Sequence, residues 1–254
     1  MDIQKIGKED KFLNEIYNYF YNLEDTEIKS WAIQYLDNQY KRILDDVKLC
    51  TALSHHQTSK LLDIGSVPFF STIYLSKLGY DIVGVDIAPE RFSDILDKAN
   101  LSVKKCNIEQ EQLPFEDNYF DLILMSEVFE HLRIDIIFTM NEIRRVLKPG
   151  GFLLLSTPNL MEAGKLYKML FQRKTHSIFD AYNTLKTVGH MGHVREYTEK
   201  DIEDFMSQLN FRCERTIFRG VATWKFSLFG FARALIHRII PSSRIWFMLV
   251  LVKK

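Results

Sequence analysis

Cysteine is scarce: only Cys50, Cys106 and Cys213 occur in 254 residues, far apart and never as a CxxC pair. That argues against a disulfide frame and a thiolate zinc site, and predicts reduced structural thiols in a cytoplasmic protein. Neither sign of charge is in excess. Lys plus Arg and Asp plus Glu both total 33, so the net charge is zero and the electrostatic grip that a long nucleic acid requires is missing. No clean hydrophobic run is long enough for a membrane span. The most apolar region, from Phe226 to Val252, is broken by Arg233, His237, Arg238, Pro241 and Arg244, and its longest uninterrupted piece, IWFMLVLV, has the length of a buried strand. The N-terminal MDIQKIGKEDKF lacks an apolar stretch behind its charges, so no secretory export is expected. No internal repeat or low-complexity linker divides the chain, which predicts a single domain.

What is present is a 46% hydrophobic, 13% aromatic chain, enough for one large α/β domain with a buried core. Helical spacing of Phe12, Ile16, Tyr19, Phe20 and Leu23, then of Trp31, Tyr35, Ile43 and Leu44, predicts two helices between residues 10 and 49. From residue 60 the texture changes to short apolar runs, KLLDIG, DIVGVDI, FDLILMS and GFLLLST, separated by helical stretches. This alternation predicts parallel strands with crossover helices in an open doubly wound sheet. Pro149-Gly150-Gly151 reads as a turn between helix and strand. TEKDIEDFMSQLN reads as a helix with Thr198 as N-cap and Asp201 at its third position. FRCERTIF and IWFMLVLV read as two late strands. Four stretches follow: a helical cap over 1–57, a core over 58–160, an insertion over 161–195, and a C-terminal helix with late strands over 196–254.

Ligands of such sheets bind at the carboxyl ends of the strands, and the turn after the first strand begins at Asp63-Ile64-Gly65. Gly65 lets backbone approach a ligand, and Asp86, roughly 20 residues on at the end of DIVGVD, can accept both hydroxyls of a ribose. With CNIEQEQLPFEDNYFDLILMSEVFEHL and RRVLKPGGFLLLSTPN added, residues 58 to 218 resemble a class I S-adenosylmethionine-dependent methyltransferase, of the group that includes ubiquinone-biosynthesis O-methyltransferases and many small-molecule and glycan methyltransferases. The resemblance implies a Rossmann-like, mostly parallel seven-stranded sheet ending in an antiparallel hairpin, with S-adenosylmethionine as cofactor. It implies that Asp63 and Gly65 line the methionine end, Asp86 holds the ribose, Ile87 packs on the adenine, Asn107 and Ile108 lie at the adenine edge, and Ser126 and Glu127 face the sulfonium. One departure stands out: where the family turn commonly reads GxGxG, this chain has Gly65-Ser66-Val67-Pro68-Phe69. A reshaped turn would still offer the Ser66 hydroxyl, with Phe69 facing sheet or helix; a decayed one would leave a non-catalytic binding or partner subunit.

Methyl transfer needs alignment and the removal of one proton, and His131 in EVFEHL is the candidate base, with a cap or packing role as its ordinary alternative. Glu127, Glu130, His131 and His193 together form a candidate divalent-ion set, Mg2+ or another ion, with His190 as an alternative ligand. That set is similar to the magnesium-assisted sites of ubiquinone-biosynthesis O-methyltransferases and of small-RNA 3′-end 2′-O-methyltransferases. The aromatic N-terminal helices and the stretch from Met161 to Val188, with Tyr167, Phe171, Phe179 and Tyr182, are the candidate lid over a small-molecule or glycan acceptor. Lys165, Lys168, Arg173 and Lys174 could meet a phosphate or acidic sugar there. The amphipathic FSLFGFARALIHRII is read either as cover for the late hairpin or as a peripheral membrane contact.

Overall fold

The computed structural model describes residues 11–23, 26–54, 56–175, 179, 183, 192–222 and 228–254. Tyr182, Val188 and His190, named above, lie outside these, as do the first residues of FSLFGFARALIHRII. The chain packs as two compact units, Met1–Leu124 with Ile137–Gly151, and Met125–Ile136 with Phe152–Lys254.

In the first unit, α1 (Lys11–Tyr21) and α2 (Thr26–Leu53) form where the apolar spacing places them. Leu13, Ile16 and Phe20 line one face of α1, and Ala32, Leu36, Ile43 and Val47 one face of α2. These faces close on Phe69, Phe70, Ile73, Phe92 and Ile95 in one cluster. Phe20 lies 4.7 Å from Phe70, and Trp31 stacks on Phe92 at 6.2 Å. The buried aromatic side chains of these helices are thus committed to packing beside the turn after the first strand. Three parallel strands follow: β1 (Lys60–Ile64) and β2 (Asp81–Asp86) from short Val/Ile/Leu-rich runs, and β3 (Val103–Lys105) as a short strand of sequence Val-Lys-Lys. Ile64 sits opposite Val85, and Asp86 opposite Lys105. Helix α3 (Phe70–Lys77) joins β1 to β2; a 3-10 turn (Pro89–Phe92) and α4 (Ser93–Ala99) join β2 to β3.

Next come β4 (Phe120–Ser126), a 3-10 turn (Phe129–His131), α5 (Ile136–Val146) and β5 (Leu147–Pro158). The Pro149-Gly150-Gly151 turn is not a separate turn. β5 begins at Leu147, directly after α5, and Gly150 at φ 75 bends its first residues. A Cβ on Gly151 would stand 2.9 Å from the Lys148 carbonyl and 3.0 Å from that of Asp121. The remaining elements are α6 (Ala163–Gln172), α7 (Glu199–Gln208), β6 (Phe211–Arg219), α8 (Leu228–Ile239) and β7 (Trp246–Lys253). Helix α7 starts on the expected capping box of Thr198 and Asp201. β7 pairs antiparallel with both β5 and β6, and the seven strands take the order β3-β2-β1-β4-β5-β7-β6. No helix among the described residues is long and apolar enough to cross a membrane.

The two runs LPFEDNYF and RRVLKPGG belong together physically. Arg145 of α5 donates to the carbonyls of Leu113 and Phe115, each at 2.9 Å, and to Glu142 and Asp117. Glu142 in turn accepts the Leu113 amide at 2.9 Å. One guanidinium thereby fixes the loop that leads into β4. Arg145→Ala would leave Glu142 without its cation and the loop carbonyls without donors, and is expected to cost about 2 to 3 kcal/mol of unfolding free energy in urea. A loss well under about 1 kcal/mol would mean that the loop is held by something else.

Candidate functional site

The turn after β1 keeps a left-handed backbone at both ends. Gly65 has φ 67 and Phe69 φ 70, ψ 15, so a phenylalanine occupies the conformation that favours glycine. Its ring explains how. Phe69 is fully buried in the cluster with α1 and α2 and meets Phe92 edge-on at 6.2 Å. The bulky side chain therefore faces the helical layer, as a reshaped turn requires. Backbone bonds close the turn: the amides of Gly65 and Ser66 donate to the Val85 carbonyl, and that of Phe69 to Ser66. Gly84 on β2 is needed for this closeness, since a Cβ there would stand 2.6 Å from Ser66 Oγ.

Asp86 binds the two strand ends together. Its Oδ2 accepts the Val67 amide at 3.1 Å and its Oδ1 the Ala88 amide at 2.9 Å. Burial raises this carboxyl above its ordinary range, against the pull of those two amides and of Arg91. Each oxygen retains a lone pair for another donor. Next to it Ile87 exposes 57% of its surface at the end of β2. The Ser66 hydroxyl is buried and has no hydrogen-bond partner among the described residues. These are features that fit an adenosyl group: a carboxylate for ribose hydroxyls, an exposed apolar side chain for a ring, and a hydroxyl awaiting a partner. Asn107 closes the turn after β3, accepting the Glu109 amide through Oδ1 and donating to Gln110; the Ile108 carbonyl accepts from Thr139, and the Cys106 amide donates to the Asp86 carbonyl.

Asp63 has a further duty. Its Oδ2 accepts Thr72 Oγ1 at 2.6 Å, pinning α3 to β1. Burial lifts its pKa to about 7; the Thr72 bond opposes this, the nearby Asp46 and Asp86 add to it, and Arg42 opposes it. Arg42 and Asp46 of α2 form a buried pair at 3.4 Å.

In the second unit three of the four proposed metal ligands come together. Single ligand atoms of Glu130, His131 and His193 lie within 4.8 Å of one another. Glu130 Oε1 is 4.0 Å from His131 Nε2 and 3.9 Å from His193 Nε2, while Oε2 accepts Thr157 Oγ1 at 2.8 Å. Both rings are held by the opposite nitrogen. His131 Nδ1 donates to the Gly192 carbonyl at 2.7 Å, and His193 Nδ1 to Glu196 at 2.9 Å. With Nδ1 donating, Nε2 of each ring is turned to the side of Glu130. Glu127 stands outside the triad. It follows β4 at φ 58, its amide donates to the Ser156 carbonyl, and its Oε1 accepts Ser156 Oγ at 3.2 Å, which itself accepts from the buried Arg219. Ser126 remains half-buried at the end of β4.

Glu196 went unnoticed in the sequence, although GHVREYT sets it three residues after His193. Burial raises its carboxyl, but bonds from His193 and Lys165 outweigh that and hold it below its ordinary range. Lys165 is thereby drawn out of the basic group assigned to a phosphate: its ammonium bonds Glu196 at 2.5 Å. Nothing in the sequence signalled Ser156, Thr157 or Arg219 either.

Residues 62–155 match the family described as a methyltransferase domain. A ubiquinone biosynthesis O-methyltransferase of Cereibacter sphaeroides is 33% identical over 106 residues, 41% of this chain and 42% of its own length. The mitochondrial ubiquinone biosynthesis O-methyltransferase of Mus musculus is 31% identical over 147 residues, 52% of this chain and 39% of its own. The chain thus spans about two-fifths of the length of these relatives. Among solved structures, a SAM-dependent methyltransferase from Archaeoglobus fulgidus aligns with a TM-score of 0.57 at 16% identity, over 86% of this chain and 99% of its own; that likeness concerns the fold.

The raised pKa of Asp63 has a measurable consequence. The fold keeps this proton up to about pH 7, whereas the unfolded chain releases it near 3.8, so the native state holds more protons between those values. Its stability contribution is present at low pH and is lost as pH rises through that window. Asp63→Asn should remove this dependence, so the stability of the wild type relative to the variant should fall by about 1 kcal/mol or more between pH 4 and pH 7.5 in urea titrations. A pH-independent difference would contradict the buried, proton-holding Asp63.

Proposed function

We propose that the chain is a class I S-adenosylmethionine-dependent methyltransferase, as the methyltransferase-domain match over residues 62–155 supports, and that it methylates a hydroxyl oxygen of a small molecule, or of a glycan or lipid-linked precursor. The observation that carries the oxygen-directed reading is the Glu130, His131 and His193 triad with both Nδ1 atoms tied down. The ubiquinone biosynthesis relatives, O-methyltransferases by name, support the same choice of acceptor.

Bound S-adenosylmethionine supplies a methyl group already activated by its sulfonium. The chain's own residues then have to bind, orient and take up one proton. Asp86 accepts the ribose hydroxyls while keeping the Val67 and Ala88 amides, Ile87 covers the adenine, and Ser66 offers its buried hydroxyl. Gly65 and Asp63 shape the methionine end, and Asn107 and Ile108 the adenine edge. His131 acts as base through Nε2, since its Nδ1 hydrogen is engaged by Gly192. The same three side chains have the chemistry of a divalent-ion site: two imidazoles with oriented Nε2 atoms and one carboxylate. An ion held there would take the His131 Nε2 lone pair in place of a proton and would itself lower the pKa of the acceptor hydroxyl. A non-catalytic role rested on Phe69 filling the cofactor space, and its ring in the core favours catalysis instead.

Two variants separate the halves of this reading. Asp86→Ala removes charge-assisted hydrogen bonds worth roughly 1.5 to 3 kcal/mol, so S-adenosylmethionine affinity should drop by about tenfold or more in a fluorescence titration. Asp86→Asn, which keeps one acceptor, should lose less, and equal affinity in all three proteins would refute the placement. His131→Ala should leave cofactor affinity nearly intact while weakening Mn2+ binding, followed by paramagnetic relaxation, and suppressing methyl transfer to a panel of catechol and sugar acceptors. Parallel losses of cofactor affinity and transfer would instead point to a packing role for His131.

A further inference from the structure

We propose that α6 and α8 form a face that docks on an anionic lipid bilayer. Helix α8 is inside out for a surface helix, whose apolar stripe ordinarily faces the core. Its inner side carries His237, fully buried, and Arg233, both bonded to Glu162 Oε1 at 3.0 and 2.7 Å. Its outer side carries Leu228, Phe231, Leu235 and Ile239, three to four residues apart and all exposed, Leu228 by 87% and Ile239 by 68%. On α6, Leu170 and Phe171 are exposed by 71% and 74%. Tyr167 of α6 meets Phe229 of α8 at 4.5 Å, which joins the two helices along one surface. Contiguous exposed apolar side chains of this kind mark a docking surface.

The helix cannot roll to hide them. Glu162 accepts the amides of Gly164 and Lys165 at the start of α6 as well as Arg233 and His237, and His237 Nδ1 accepts the Ala222 amide at 3.0 Å. Turning the apolar side inward would strand this buried charge network, whose unmade bonds cost more than a few exposed leucines gain.

Charge selects the occupant. The chain as a whole is neutral, yet no Asp or Glu occurs between Ala163 and Phe179 or anywhere after Glu214. Lys168, Arg173, Lys174 and Arg238 stand exposed beside the apolar residues in these segments. Acid-free helices with aromatic and aliphatic side chains among cations suit a surface of lipid phosphates over hydrocarbon, where apolar groups enter the acyl boundary and cations meet the headgroups. With no membrane-crossing helix among the described residues, the face would lie on the bilayer and not span it.

Vesicle flotation of the full chain tests this. Wild type should rise with phosphatidylcholine vesicles containing about 30 mol% phosphatidylglycerol, and bind phosphatidylcholine alone at least about fivefold more weakly, since even one cation near an anionic surface adds about that factor. Leu235→Glu with Ile239→Glu should cut recovery by about tenfold, with the thermal midpoint and S-adenosylmethionine affinity unchanged because both side chains are exposed. Lys168→Gln, Arg173→Gln and Lys174→Gln together should abolish the preference for the anionic vesicles. Equal recovery with and without vesicles would overturn the proposal. So would a dimer in sedimentation that the Leu235→Glu, Ile239→Glu pair dissociates, which would make the face a contact between two copies.

Discussion

The hydrogen bond from the Val67 amide to Asp86 is the tie on which the candidate cofactor site depends. In a glycine-rich turn the backbone reaches its left-handed bends without steric cost. Here one of those bends is made by Phe69, and a left-handed non-glycine residue costs roughly 1 to 2 kcal/mol. Burial of a phenylalanine returns about 1.5 to 3 kcal/mol, and its edge-on contact with Phe92 adds to that. The balance is slightly favourable only because α1 and α2 provide the cluster into which the ring fits. The helices ahead of β1 thus complete the turn, and the same turn delivers the Val67 amide to Asp86. Sequence, strain and packing agree once Phe69 is read as a core residue.

The histidine pair rests on a different kind of constraint. Each ring is oriented by its Nδ1 hydrogen, His131 by a backbone carbonyl and His193 by Glu196, and Glu196 is itself fixed by Lys165 at the start of α6. Glu130 is oriented by Thr157 on β5. Two imidazole Nε2 atoms and one carboxylate oxygen are thereby set a few ångströms apart before anything binds. Pre-set ligands of this kind lose little freedom when they take an ion or a proton.

Much of this was legible in the sequence because the signals are local. Periodicity gave the two N-terminal helices, alternation of short apolar runs gave the parallel strands, and Thr198 with Asp201 gave the start of α7. The distance from Gly65 singles out Asp86, and their chemistry singles out Glu130, His131 and His193, which the structure brings together. What stayed hidden depends on long-range geometry. Glu127 was grouped with Glu130 because three residues separate them on a helix, but its positive φ after β4 and its bond to Ser156 take it elsewhere. Pro149-Gly150-Gly151 looked like a turn because those residues usually make one, whereas β5 incorporates them by bending at Gly150. Lys165 looked like a solvated cation until Glu196, thirty-one residues away in the chain, appeared as its partner. No spacing rule reaches that far.

The central claim is that a turn carrying Val67 and Phe69 in place of glycines still forms a cofactor site. Calorimetric titration of S-adenosylhomocysteine into the wild type and into the Val67→Gly, Phe69→Gly double variant tests it most directly. The account predicts saturable one-to-one binding by the wild type and no gain in the double variant, which should also unfold more easily for want of the buried ring. Silence from the wild type together with clear binding by the double variant would contradict it.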